Sequence, residues 1–376
     1  MRKTQSSRRA ALTLAVGVGM AASALGQAGR PPPVGSPMVK PDRTIVFRFR
    51  APDARKVELS GQFLTANQPM VKDESGWWSV TVGPVAPDLY PYNFVVDGVG
   101  VADPANQHVF PNEGFKASLV DIPDPEPALR SVQNVPHGEL TYGFYESKAL
   151  GCTRPLVTYT PPGYRAGSGR YPVLYLVSGT TDTEETWFRV GRVNFILDNL
   201  IAQRRAVPMI VVMPYGNMLM GTPRPTSLEA AGMYKAFADE LVGVIVPYVE
   251  TNFRAIPERE KRAIAGFSRG GGQSLFTAFS HLDKFAWVGS YSAYLTPEVF
   301  DKYFPAASAD PAATNRQLKL LWLGVGKDDF LFPQASAFID LLAARKIEHR
   351  KLITEGGHTW MNARHFLAET LQLYFK

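Results

Sequence analysis

The chain has 376 residues, 45% of them hydrophobic and 20% charged, with a formal net charge of +6. That balance is typical of soluble globular proteins and excludes fibrous and disordered chains, and at ~150 residues per domain the length predicts two or three units. Part of the positive charge lies in the first residues. No Lys/Arg-rich block with interleaved aromatics follows, so nucleic acid is not an expected partner. Cys152 is the sole cysteine, which rules out an intramolecular disulfide and a multi-cysteine metal site.

In chain order, Arg2, Lys3, Arg8 and Arg9 precede an apolar run over residues 10–25 that ends in Ala24-Leu25-Gly26. This reads as a signal peptide over residues 1–26, shorter and more diluted by glycine than a membrane anchor, and predicts a secreted or periplasmic protein. Residues 27–42, with Pro31-Pro32-Pro33, Pro37 and Pro41, read as an extended linker. Alternating runs at 44–50, 56–60, 77–82 and 90–96, separated by turn signals such as Asp97-Gly98, predict a small all-β sandwich over 43–122. Its stretches 70–80 (MVKDESGWWSV), 90–98 (YPYNFVVDG) and Asp103-Pro104 resemble the early-set or starch-binding-type modules that precede many carbohydrate-active enzymes. Neighbouring strand residues face opposite ways, so one of Trp77 and Trp78 is expected in the core, leaving at most one to stack on a sugar.

Pro123, Pro125, Pro127 and Pro136 mark a second linker over 123–136. Beyond it, over 137–376, the pattern changes. Apolar runs at 171–178, 208–213, 262–267 and 318–325 alternate with helical spacing at 228–253, 270–281, 333–345 and 363–375. Strands alternating with helices predict an α/β fold with a mostly parallel, doubly wound sheet. Since this part is long enough to bury its own core, it is expected to fold without residues 1–122.

The chemistry is carried by Gly266-Phe267-Ser268-Arg269-Gly270, which follows an apolar strand and opens a helix rich in small residues. A serine on such a tight turn is pressed above the sheet, and glycines flank it because side chains there would collide. A serine hydroxyl needs a base, and this turn demands the chain order Ser, then Asp or Glu, then His. The strand at 318–325 runs into Asp328 and Asp329, either of which could be the acid, and Glu355-Gly356-Gly357-His358 provides a loosened loop bearing the base. His108, His137, His281, His349 and His365 read as packing or surface residues. A tetrahedral intermediate needs two backbone donors: the N–H of Arg269 after the nucleophile, and that of Thr180 in the turn after the strand at 171–178.

Residues 137–376 closely resemble the feruloyl and acetylxylan esterase branch of the carbohydrate esterases, related to enterochelin esterases and esterase D. The stretches that carry the resemblance are 135–138 (VPHG), 159–164 (YTPPGY), 171–176 (YPVLYL), 196–201 (ILDNLI), 208–214 (PMIVVMP), 266–271 (GFSRGG) and 356–360 (GGHTW). The resemblance implies an α/β-hydrolase fold and a triad of Ser268, Asp329 and His358, with the second aspartate taken as the acid because the family's acid falls there. Two departures are visible. Ser178-Gly179-Thr180 stands where many relatives have His-Gly-Gly, and Arg269 stands where they carry Met or Leu.

Trp187, beyond the proposed oxyanion turn, and Trp360, two residues after the histidine, lie on loops expected to converge at the carboxyl ends of the strands. They are expected either to line a pocket for an aromatic acyl group or to pack the loop bases. The leading expectation is release of feruloyl or acetyl groups from plant xylan through an acyl-enzyme, with a small-molecule or polysaccharide ester as partner and no metal or other cofactor. The alternatives are a siderophore esterase or acyltransferase with the same triad, or a non-catalytic glycan-binding protein.

Overall fold

Strand-forming residues with turn punctuation dominate the first third of the chain. In the computed structural model, which describes residues 35–218 and 227–376, they build two antiparallel sheets. One orders Met38–Val39, Ile45–Arg50, Trp77–Val82 and Val71–Lys72; the other orders Gln68–Pro69, Val57–Gly61, Asp88–Val96 and Val99–Val101, with Ser118–Ile122 also pairing on Asp88–Val96. Alternation of inward and outward side chains makes a shared core of Ile45, Phe47, Leu59, Trp78, Tyr92 and Phe94. Trp78 is the inward tryptophan, its indole N–H donating to the Ala51 carbonyl, while Trp77 is half-buried. Residues 38 and 39, expected in the linker, instead form an edge strand paired with Ile45 and Val46. The signal-peptide reading and residues 27–34 of the linker lie outside the described residues.

The remaining strands form one eight-stranded sheet: Glu139–Ser147, Cys152–Thr160, Val173–Val177, Ile210–Pro214, Arg262–Phe267, Trp287–Tyr291, Leu320–Gly326 and Arg350–Thr354. Counted in chain order, their spatial order is 1-2-4-3-5-6-7-8, and only the second runs against the rest. This is the α/β-hydrolase architecture. The central strands are buried on both faces, which is why they read as continuous apolar runs rather than alternating ones. The helical signal at 228–253 becomes Ser227–Glu240, a π-helical turn Leu241–Ile245 and Val246–Asn252. Pro247 lacks an N–H and crowds the preceding turn, and the wide turn just before it accommodates that defect.

The two parts are not independent. Leu89, Phe110, Ala117 and Leu119 of the β part are buried in the same hydrophobic cluster as Trp187, Leu197 and Phe366 of the α/β part. Buried Arg364, on helix Trp360–Leu371, donates to Asp88 at 2.5 Å and to the carbonyls of Leu89 (3.0 Å) and Val190 (2.8 Å). The Pro-rich segment is pinned as well. Asn199 donates to the Leu129 and Ser131 carbonyls, and Arg130 pairs with Asp88 and Asp124. Residues 35–376 accordingly form one compact unit. These contacts argue against the expectation that the region after residue 136 folds without residues 1–122. Among the described residues no helix is long and apolar enough to cross a membrane.

Candidate active site

Strand Arg262–Phe267 ends at Ser268, and helix Arg269–Ser280 begins at the next residue. The turn between them forces Ser268 into a strained backbone conformation, φ +56° and ψ −123°. Its glycines are obligatory on steric grounds. A Cβ on Gly266 would lie 2.4 Å from the Gly270 carbonyl, and one on Gly270 would lie 2.2 Å from the Val177 carbonyl oxygen.

His358, on the loop after strand Arg350–Thr354, places Nε2 2.9 Å from Ser268 Oγ. Its Nδ1 lies 3.0 and 2.9 Å from the two carboxylate oxygens of Asp329. Phe267 stacks on the imidazole at 4.7 Å and Phe330 approaches it at 4.5 Å, which fixes the ring plane. Asp329 is buried, and burial favours the neutral acid. Hydrogen bonds with His358 and from the Leu331 N–H outweigh it and hold the carboxyl below its ordinary value. Asp328 is exposed and accepts from the Gly356 N–H at 3.1 Å, so it braces the base of the histidine loop instead of facing the ring.

A cavity of about 780 Å³ opens above these groups, lined by Ser268, His358, Thr180, Arg269, Phe330 and Trp360 among others. Arg269 is the first residue of its helix, so its N–H has no acceptor within the helix. Thr180 sits on the exposed turn beside Gly179, and a Cβ on Gly179 would lie 3.5 Å from Ser268 Cβ. Both proposed donors thus lie at the nucleophile's end of the cavity. The two tryptophans divide. Trp360 lines the cavity with one edge, whereas Trp187 is fully buried and packs on Trp360 at 4.8 Å and on Tyr291. Trp187 is therefore a core residue and not a pocket residue: packing of its large ring on Trp360 and Tyr291 outweighs an indole N–H left without a partner. Among the remaining histidines, His137 contacts Asp198 and His349 the Ile347 carbonyl, both structural contacts.

Several lining residues escaped the sequence reading. Phe330 is 70% exposed over the imidazole, an aromatic directly after the acid that signalled its own place. Asn112, Glu113 and Phe115 come from a loop of the β part, and nothing local announces that they reach the cavity. Asn112 donates to buried Asp182 at 2.9 Å, the Gly179 N–H donates to the other carboxylate oxygen at 3.1 Å, and the Glu113 N–H donates to the Thr181 carbonyl. Burial pushes the Asp182 carboxyl up to about 7, against the opposing pull of the Asn112 hydrogen bond and the Arg269 charge. A carboxyl raised on folding binds more protons in the native state between its unfolded value near 4 and about 7. Its stabilising contribution is thus present at acid pH and lost as pH rises through that window. The unfolding free energy of Asp182→Asn minus that of wild type, from urea titrations, should therefore increase between pH 4 and pH 8 by on the order of a few kcal/mol. A difference independent of pH would show that Asp182 titrates as an ordinary carboxylate.

A 28% identical stretch of 351 residues, 90% of this chain, matches an endo-1,4-beta-xylanase/feruloyl esterase of Xylanibacter ruminicola and covers 46% of that protein. An esterase of Mycobacterium tuberculosis is 30% identical over 213 residues, 54% of this chain and 42% of the relative. The chain thus spans less than half the length of these relatives. Among solved structures, a ferulic acid esterase aligns with TM-score 0.56 and 25% identity over 64% of this chain and 98% of its own. The enterochelin esterase of Shigella flexneri shares the fold, with TM-score 0.66 and 17% identity over 89% of this chain and 92% of its own. The family model named Esterase matches residues 147–373, more than half of the chain, and includes Ser268, Asp329 and His358. The chain belongs to the Esterase family of carboxylic ester hydrolases.

Proposed function

We propose that the protein is a secreted serine esterase that releases hydroxycinnamoyl groups from plant cell-wall xylan through an acyl-enzyme on Ser268. The observation that carries the reading is the continuous chain of hydrogen bonds from Ser268 Oγ through His358 to Asp329 at the floor of an aromatic-walled cavity. Within it we assign a signal peptide to residues 1–26, linkers to 27–42 and 123–136, a β module to 43–122 and the esterase region to 137–376.

In the first half-reaction Ser268 Oγ attacks the ester carbonyl while His358 Nε2 takes its proton. Asp329 holds Nδ1 protonated and stabilises the imidazolium. The Arg269 and Thr180 N–H groups receive the oxyanion. Collapse expels the alcohol with the proton from His358, and a water activated by the same imidazole then releases the acid. The acyl group is argued from size and surface. Phe115, Phe267, Phe330, Tyr234 and Trp360 line the cavity, and a planar aromatic acid gains stacking and apolar burial there that an acetyl group cannot.

Asp329→Asn should lower turnover by about 10⁴-fold, since an amide cannot hold the same tautomer or offset the imidazolium charge, whereas Asp328→Asn should stay within about tenfold of wild type. The reverse ranking would move the orienting acid to Asp328. Hydrolysis of methyl ferulate, acetylated xylan, short p-nitrophenyl esters and a catecholate siderophore tests the substrate. The reading expects the highest kcat/KM on ferulate, and deacetylation without detectable ferulate release would reject it while leaving the esterase chemistry intact.

A further inference from the structure

We infer that Arg269 and Gln273 form a polar end of the acyl pocket that reads a phenolic oxygen on the ring of the substrate's acyl group. The inference rests on the aromatic-acyl reading above and adds to it a determinant that the triad chemistry does not require.

Arg269 lines the cavity directly after the nucleophile, yet among the described residues its guanidinium makes no ion pair, and its Nε and Nη2 are closed off without a hydrogen-bond partner. Donors left unpaired away from water are costly, and a guanidinium more so than a neutral group. The neighbouring Asp182 and Glu113 offset part of its charge but accept no hydrogen bond from Nε or Nη2. Asp182 has committed one oxygen to Asn112 and the other to the Gly179 N–H, and Glu113 accepts from Asn217 at 2.9 Å. Burial lowers the Arg269 guanidinium only to about 10, so it is a cation at neutral pH.

One helical turn further, Gln273 is buried and also lines the cavity. Its Nε2 donates to the Gly216 carbonyl at 2.9 Å, which leaves Oε1 as an acceptor with no donor. The two unused groups flank the same glycine. A Cβ on Gly216 would lie 3.2 Å from Gln273 Oε1 and 3.5 Å from Arg269 Nη2. The unused donor and the unused acceptor therefore lie close together on the helix that lines the cavity.

A hydroxyl satisfies both, accepting from the guanidinium while donating to the amide oxygen. A carboxylate satisfies only the first, and would stand beside Gln273 Oε1 and the Asp182 and Glu113 carboxylates. An unsubstituted ring satisfies neither. Sites of this kind discriminate strongly against the analogue that lacks the hydroxyl, because it leaves the buried polar groups unpaired. The same phenolic chemistry occurs in hydroxycinnamoyl esters of glycans and in dihydroxybenzoyl esters of siderophores.

The test is kcat/KM of the full chain on two series: methyl cinnamate with its 3- and 4-hydroxy derivatives, and methyl benzoate with methyl 2,3-dihydroxybenzoate. Monomethyl terephthalate serves as the carboxylated probe. At least one hydroxylated ester is expected to exceed its unsubstituted parent by about tenfold or more, and the series in which this occurs separates the two sources. In Arg269→Met the ratio should fall to within about threefold of one, with partial recovery in Arg269→Lys, whose ammonium still donates. Gln273→Met should lower the ratio as well, and it decides the matter if Arg269→Met does not fold. Equal rates on hydroxylated and parent esters in the wild type, a ratio unchanged in the variants, or preference for the carboxylated probe would overturn the inference and leave the aromatic-acyl reading standing. Cleavage of p-nitrophenyl acetate with no turnover of any aromatic acyl ester would remove both.

Discussion

Replacing Ser268 or His358 by alanine is expected to lower kcat on small esters by on the order of 10⁵-fold or more, because members of such a triad act as a unit and loss of one forfeits most of the effect. The two variants should nonetheless differ in stability. Ser268→Ala removes a hydroxyl that opens onto the cavity and leaves the His358–Asp329 pair intact, so its melting temperature should match wild type within a few degrees. His358→Ala strips Asp329, whose side chain is fully buried, of its principal partner and leaves it with weaker support from the Leu331 N–H and Ser292. Breaking a buried pair by removing one member costs about 3–5 kcal/mol, so this variant should also melt lower. Kinetics with p-nitrophenyl acetate, melting curves and labelling by a fluorophosphonate separate the two effects. Wild-type turnover in either variant would sink the assignment of the triad.

Deletion of residues 1–122 is expected to yield insoluble or unfolded protein without esterase activity. The deletion removes Leu89, Phe110 and Leu119 from the main core; at ~1.5–3 kcal/mol for each large apolar side chain, that is roughly 5–9 kcal/mol of burial. Arg364 then loses the Asp88 carboxylate and the Leu89 carbonyl and keeps only Val190, a further cost of about 3–5 kcal/mol. The sum is comparable with the whole stability of a typical domain, about 5–15 kcal/mol. Asn112→Ala in the full chain probes the catalytic share of this dependence without removing the core contacts. It takes away one support of Asp182 and so loosens the turn carrying Thr180, and should lower kcat about tenfold with a loss of melting temperature well below that of the deletion. A soluble fragment 123–376 with full small-ester activity would show that these contacts are dispensable.

What could be read from the sequence follows from how local each determinant is. The strand, tight turn and helix around Ser268 are specified by a dozen contiguous residues, and the order of acid and histidine follows from the fold. The parallel sheet announced itself because its central strands are apolar on both faces. Other features depend on contacts between distant segments. The edge strand Glu139–Ser147 alternates only weakly, and Trp287–Tyr291 is a short strand with Gly289 and Ser290 in its middle, so neither stood out. Trp187 and Trp360 are the same residue type on loops expected at the same end of the sheet, yet one is core and the other reaches the cavity. That outcome is set by which helix each starts and what packs behind it. The contribution of the β part is the least legible, because a loop some 150 residues before Ser268 gives no sign of the turn it will meet.

That meeting bears on how such chains can be recombined. The Pro-rich segment 123–136 looks like a natural crossover point for exchanging an amino-terminal cassette, and a gene built that way would keep every reacting residue. It would still replace Asn112 and Glu113, which clasp Asp182 and Thr181 on the turn next to the nucleophile. A chimaera at that junction therefore inherits the triad without the clasp. Grafting succeeds only when the incoming cassette brings the 110–117 loop with it, so that the heritable unit of this active site is larger than the segment that carries its chemistry.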